Sequence, residues 1–203
     1  MIKIYGSPRS SSGRCFWCLL EVGTPFEAVP LDMKKKEHKA PEYLKLNPNG
    51  KVPVLVDGEF KIWESMAINT YLAEKYKPEL LGCDAATRGI VQQWTMWSSL
   101  ELQPPFIEVF VQKFFVPEDR RSQDVIDMAF DKLPPLFSIL NTELEGKEYM
   151  TGNGFTLADL HVASVASISH MLQYDLSPYP EVQRWLGEMQ KRPAHQEYLK
   201  LIR

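Results

Sequence analysis

The chain has 203 residues, of which 44% are hydrophobic and 24% charged, with a formal net charge of −3. That is enough for one or two domains with a core of their own, and the composition excludes a largely disordered chain. The charge is too small, and of the wrong sign, for a protein that binds nucleic acid by electrostatics. No apolar run approaches the roughly 18 residues of a membrane helix. The start, MIKIYGSPRS, goes straight into a strand pattern with no apolar signal stretch. Three cysteines, an odd and low number, point to a reducing cytoplasm rather than a disulfide framework. His38, His161, His170 and His195 are far apart and lack metal-ligand spacing, so no metal is expected.

Residues 2–5 (IKIY) alternate and are β-rich, predicting a strand; 6–13 form a turn and loop. Phe16, Leu19, Leu20 and Val22 recur at helical spacing over 14–22, and Gly23 is placed to end that helix. Residues 26–31 read as a second strand, parallel to the first because a helix connects them. Residues 33–46 are basic and polar, with a short amphipathic piece at 41–46. Residues 53–56 and 60–63 read as strands joined by the Asp57-Gly58 turn. A helix with Ile68, Tyr71, Leu72 and Tyr76 on one face then runs from Glu64 to just before Pro78. The order is β-α-β-α-β-β-α in about 76 residues.

From Asp84 onward no strand pattern stands out. Ile90, Trp94 and Trp97 mark one long helix, and Val125, Ile126, Ala129, Leu133, Leu136, Phe137, Leu140 and Leu144 mark another. Pro104-Pro105 and Pro134-Pro135 fall inside these patterns and predict a kink or break. Thr156-Leu157-Ala158-Asp159 opens a third helix as a capping box, stapled by Phe155 and Leu160. Val182, Trp185, Leu186 and Met189 mark a fourth, started by Pro180. The chain therefore reads as α+β in two domains: residues 1–77 an α/β unit, 78–83 a linker, and 84–203 all-helical.

Three local features carry chemistry. Cys15-Phe16-Trp17-Cys18 has the C-x-x-C spacing of a redox pair, and Ser10-Ser11-Ser12 places hydroxyls where a helix begins. Glu64-Ser65 lies where a strand turns into a helix, whose unpaired N–H groups and partial positive charge suit a carboxylate ligand; a cap by Ser65 with Glu64 complementing the helix dipole would also explain these residues. The basic run 33–39 has no interleaved aromatics and reads first as a solvated loop.

The order of elements, together with Ser7-Pro8-x-Ser10, Asn47-Pro48-x-Gly50-Lys51-Val52-Pro53, Trp63-Glu64-Ser65-x-Ala67-Ile68 and Phe155-Thr156-Leu157-Ala158-Asp159-Leu160-His161, resembles the cytosolic glutathione transferases across essentially the whole chain. Lys36-Glu37-His38-Lys39 ahead of Asn47-Pro48 looks most like the phi class and its bacterial relatives; Arg9-Ser10-Ser11 is similar to the zeta class. The resemblance implies a thioredoxin-like first domain followed by a helical bundle, with glutathione as co-substrate. It implies a cis Val52–Pro53 bond that turns the Val52 backbone toward the cysteinyl unit of glutathione. Glu64 and Ser65 would take the γ-glutamyl end, and His38, Lys39 and Lys51 the glycine carboxylate.

In such a domain the activating group sits where the first loop meets the first helix, near residue 10. Cys15 and Cys18 lie more than a turn deeper, where the helix offers no free N–H, and read as packing residues. A serine hydroxyl would instead donate to the thiol of glutathione and favour its thiolate. Ser10, four residues before Arg14, has the spacing of serine-type members; Ser11 and Ser12 are the adjacent candidates. The implied activity is attack of that thiolate on a small apolar electrophile bound between the domains. Its site would be lined by this loop and the helix of Trp94, Trp97 and Phe106, with Phe106 and Phe110 the named candidates. The alternatives are a zeta-like glutathione-dependent cis–trans isomerase of a small diketo acid, a non-enzymatic binding or regulatory module, and a thiol–disulfide oxidoreductase using Cys15 and Cys18. A cytoplasmic homodimer with a role in detoxification, without nucleic-acid or membrane partners, completes what the resemblance implies.

Overall fold

The computed structural model describes residues 1–152 and 154–202. The elements run β1 (Ile2–Tyr5), α1 (Gly13–Val22), β2 (Phe26–Val29), α2 (Pro41–Leu44), β3 (Val54–Asp57), β4 (Phe60–Trp63) and α3 (Ser65–Tyr76). They continue with α4 (Ala85–Trp97), α5 (Gln103–Phe114), α6 (Gln123–Asp131), α7 (Leu133–Glu143), α8 (Leu157–Ala166), α9 (Ile168–Leu172), α10 (Pro180–Lys191) and α11 (Pro193–Leu201). No helix among the described residues is long and apolar enough to cross a membrane.

Two compact units result. The first is Met1–Gly82 together with the segment from Lys191 onward; the second is Cys83–Gln190. The sequence boundary placed all of 84–203 in the second domain. Packing returns α11 to the first, because its apolar side is laid against α1.

In the first unit the sheet order is β2-β1-β3-β4, with β1 parallel to β2 and antiparallel to β3, and β3 antiparallel to β4. The arrangement is the thioredoxin-like sheet the resemblance implied. Ile2 and Ile4 of β1 and Val54 and Leu55 of β3 are buried, so the period-2 pattern turns one side of β1 into the core. Gly23 ends α1 as expected: its backbone is left-handed (φ 69°) and its N–H donates to Leu19 O at 3.1 Å. Helix α1 is buried on nearly every side rather than along a single stripe. Cys15 and Cys18 face α3, donating to Ser65 O (3.4 Å) and Asn69 O (3.8 Å), while Trp17 meets His195 of α11 edge-on at 4.6 Å. Burial pushes both thiols well above the ordinary cysteine range, so they are poor nucleophiles and serve as packing. At the other end of α3, Asp57 accepts from Tyr71 Oη (2.8 Å) and from Lys75, pinning the helix to the β3–β4 turn.

In the second unit the expected breaks occur at the prolines. Helix α4 passes through one wide π turn at Ser98–Leu102 before α5, which carries Pro104 and Pro105 in its first turn; Pro134 and Pro135 likewise open α7 after α6 ends. Thr156 and Asp159 form the capping box of α8. Asp159 also accepts from the Met150 amide (2.8 Å) and Trp185 Nε1 (3.2 Å), so one buried carboxylate ties the α8 start to the preceding loop and to α10. Phe106 is fully buried, edge-on to Phe137 and Tyr174, and belongs to the core of this unit rather than to a ligand-lining surface. Phe110 is half-buried and packs on the exposed Phe114 and Phe115.

Candidate active site

The residues singled out in the sequence converge through a chain of short contacts at one end of the sheet. Helix α2 and the loop after it come first. Tyr43 Oη (2.7 Å) and Asn47 Nδ2 (2.8 Å) both donate to the Lys51 carbonyl, and the Asn49 N–H donates to Asn47 Oδ1 (3.0 Å). Burial pushes the Tyr43 phenol up to about 12, so it stays a donor. This wiring presents the exposed Lys51 and the half-buried Val52, whose bond to the buried Pro53 is cis.

The basic loop docks on the same segment. Lys39 Nζ donates to Asn49 O at 3.0 Å, and Gly50 (φ 56°) lies so close that a Cβ there would come within 2.7 Å of that amine and 2.9 Å of His38 O. His38 Nδ1 is buried and has no hydrogen-bond partner among the described residues. A buried ring nitrogen in that condition fits a site that takes a polar ligand group.

On the far side, Glu64 closes β4 with a positive φ (71°), a strained conformation for a residue with a side chain and one that tends to mark functional sites. Its side chain is exposed and makes no cap bond to α3, although its carbonyl accepts the Ile68 N–H (2.9 Å). Its carboxylate therefore stands at the helix start without being spent as a cap, where it also complements the helix dipole. The N–H groups of Ser65, Met66 and Ala67 precede the first intrahelical bond and make this 12-residue helix start a donor cluster for an anion.

Between these flanks lies the serine loop. The Ser10 N–H donates to Ser7 O (3.0 Å), and the Gly13 N–H to Ser10 O (2.8 Å). The three hydroxyls differ sharply. Ser10 Oγ donates to Ser7 O at 2.8 Å, has Ser12 Oγ at 3.0 Å, and accepts the Ser12 N–H at 3.2 Å. Its single proton is committed within the loop. Ser12 is fully buried; a Cβ on Gly6 would fall 2.2 Å from its Oγ. Ser11 is exposed, and its Oγ makes one long bond, 3.3 Å to Val52 O. Because Cys15 in the first turn of α1 bonds the carbonyl of Ser65, the starts of α1 and α3 lie side by side. The Ser11 hydroxyl, the Val52 backbone and the α3 amides thus share one neighbourhood. Among the described residues, no group of three His, Cys, Asp or Glu side chains could hold a metal ion.

His38, Lys39, Lys51, Val52, Glu64 and Ser65, singled out in the sequence, are brought together by the contacts above, but the sequence reading missed what α11 contributes. Tyr198 Oη donates to Pro8 O (2.9 Å), and Arg9 Nη2 to Ile202 O (2.6 Å), so α11 holds the serine loop from behind. The available signals were Pro193, a helix starter after Arg192, and Gly13, whose Cα is open to Tyr198.

Comparison with known proteins places both halves of the chain in one family. Family models described as the glutathione S-transferase N-terminal and C-terminal domains match residues 1–74 and 102–193. Glutathione S-transferase F9 of Arabidopsis thaliana is 33% identical over 97% of this chain and 95% of its own length. Among solved structures, glutathione transferase F7 from Populus trichocarpa superposes with a TM-score of 0.91 at 28% identity, covering 100% of both chains. A theta-class glutathione S-transferase from Xanthomonas axonopodis pv. citri, solved with glutathione bound, gives 0.89 at 29% identity over 97% of this chain and 95% of that one. With both halves matched and an F-type relative aligned almost end to end, the chain belongs to the glutathione S-transferase family of enzymes.

Proposed function

We infer that the protein conjugates glutathione to a small apolar electrophile and that Ser11, rather than Ser10, is the hydroxyl that activates the thiol. The observation that carries this reading is the contrast between the two side chains. Both are exposed, but Ser10 spends its proton on Ser7 O at 2.8 Å, whereas Ser11 is bonded only loosely to the Val52 carbonyl. A hydroxyl that turns 3.3 Å away from a carbonyl loses little and gains a charge-assisted bond to a sulfur anion. The extended glutathione backbone would pair with Val52 as a short added strand. Its γ-glutamyl carboxylate would meet the α3 amides and Ser65, its ammonium Glu64, and its glycine carboxylate Lys39, Lys51 and the open nitrogen of His38.

The chain's part in the chemistry is to hold one proton-donating hydroxyl at the sulfur beside the start of α1. An ordinary thiol, with a pKa near 8.5, is only a few per cent ionised at neutral pH; a shift of about 2 units, or about 2.7 kcal/mol, makes it mostly thiolate. No buried cysteine takes part.

The protein is further proposed to act in the cytoplasm, in detoxification, as a homodimer in which each unit meets the other unit of its partner. Exposed apolar side chains on both support an interface: Phe60 and Trp63 on the first, Met96, Leu100 and Ile107 on the second. An aryl-halide conjugation assay tests the central reading. Ser11→Ala should lose about 30- to 100-fold in kcat, the equivalent of about 2 to 2.7 kcal/mol, and Ser10→Ala less than fivefold. The reverse ranking returns the role to Ser10, and isomerisation of a diketo acid without conjugation favours the zeta-like reading.

A further inference from the structure

We propose that Tyr198, on the last helix, is a positioning residue for thiol activation, acting through the carbonyl of Pro8. The proposal rests on the assignment of Ser11 as the activating hydroxyl. Most of the serine loop is wired to itself: Arg9 N–H to Ser7 Oγ (3.2 Å), Ser10 to Ser7 O, Gly13 N–H to Ser10 O. Bonds of this kind fix the loop's shape but not its place against Val52. Its place is set from outside. Ser12 is wedged on Gly6, Tyr198 Oη donates to Pro8 O, and Arg9 donates to the carbonyl of Ile202 at the end of α11.

The Tyr198 bond lies in a built notch. Gly13 opens α1 immediately below it, and a Cβ at that position would lie 2.5 Å from Tyr198 Oη and 2.6 Å from Pro8 O. The ring is braced edge-on by His195 at 5.6 Å, which in turn stands on Trp17 at 4.6 Å. Helix α11 is itself anchored by the paired bonds of Arg192 to Glu21, 2.7 and 2.9 Å. Tyr198 is thus the tip of a rigid stack whose hydroxyl meets the loop three residues before Ser11. Burial raises the phenol above its ordinary value and keeps it a donor at neutral pH. A shift of about 1 Å in a catalytic group is enough to weaken its contribution.

Tyr198→Phe deletes the hydroxyl and keeps the ring. The test reads the ultraviolet thiolate absorbance of enzyme-bound glutathione against pH, the kcat and KM of conjugation, and the exchange rates of the Ser12 and Gly13 amides, which are bonded to Ser10 within the loop. The bound thiol should titrate about half a unit to one unit higher, kcat at neutral pH should fall about two- to fivefold, and KM for glutathione should stay within about twofold. Both amides should exchange faster. Gly13→Ala, which crowds the same notch from the other side, should move the thiol in the same direction. A wild-type titration curve and kcat in Tyr198→Phe overturn the proposal, as does a loss confined to thermal stability. Bound glutathione with no thiolate in the wild type would remove the Ser11 assignment. In that event amides that still exchange faster in Tyr198→Phe support the tether, and unchanged exchange rejects it too.

Discussion

Replacing Arg192 by Met tests whether α11 is bound to the first unit by charge or only by shape. The Glu21 side chain is 4% exposed and accepts from Nε and Nη2 of the guanidinium, at 2.7 and 2.9 Å, while that of Arg192 is 23% exposed. Removing one partner of a fully buried ion pair costs about 3–5 kcal/mol, because the remaining charge is left without its counterpart. Here the cation is partly open to water, and Trp17 Nε1 still donates to Glu21 at 3.1 Å, so the expected cost is about 2–3 kcal/mol. Met keeps the length and apolar body of the side chain, which isolates the charge. A global melt would mix two units, so the useful assay is native-state hydrogen exchange of α11 and the facing side of α1. Those amides should exchange about 30- to 150-fold faster, the equivalent of 2–3 kcal/mol of local opening, with α8 in the second unit as an unchanged internal control. Exchange within about threefold of wild type in α11 would refute the reasoning and shift the anchoring to the aromatic stack and the Tyr198 and Arg9 hydrogen bonds.

Two further outcomes follow from the site and the sheet. Ser65→Ala should raise KM for glutathione about tenfold with kcat nearly unchanged, since in the proposed binding mode the side chain would meet a part of the substrate remote from the sulfur; an equal fall in kcat instead would place Ser65 in the chemistry. The hydrogen bonds of Lys75, then Tyr71, hold the Asp57 carboxyl below its ordinary value. Its folded pKa therefore lies below its unfolded one. The stabilisation is complete above the usual carboxylate pKa of about 3.9 and is lost as pH falls through the lowered folded value. Asp57→Asn should accordingly be less stable than wild type near neutrality, with the gap narrowing on acidification; a gap that stays constant from about pH 6 to pH 3 would contradict that linkage.

Much of the architecture was legible because short-range chemistry decides it. Alternation at Ile2 and Ile4, the Asp57-Gly58 turn, the stop at Gly23 and the prolines at 104–105 and 134–135 each act through backbone geometry, and each did what its residue type requires. The fate of the chain's end was not legible. An amphipathic helix at 193–201 shows that one face must be covered but not which surface covers it. The same limit hid the surroundings of α1, where Glu21 and Arg14 are buried because partners arrive from elsewhere, with Arg192 on Glu21 and Tyr198 near Arg14.

Which serine has a free hydroxyl was not legible for a different reason. Counting back from Arg14 selects a position, but whether its proton is free depends on how the loop turns. Here the turn spends the hydroxyl of Ser10 on Ser7 O and leaves that of Ser11 facing Val52. The positive φ of Glu64 was equally invisible, because it is imposed by the strand-to-helix turn and not by the residue's own preference.

The most direct measurement is the ultraviolet titration of enzyme-bound glutathione in wild type, Ser10→Ala and Ser11→Ala. The account predicts a thiolate at neutral pH in wild type and Ser10→Ala, and a bound thiol shifted back up by about one to two units in Ser11→Ala. A thiolate that survives in Ser11→Ala and disappears in Ser10→Ala would contradict it.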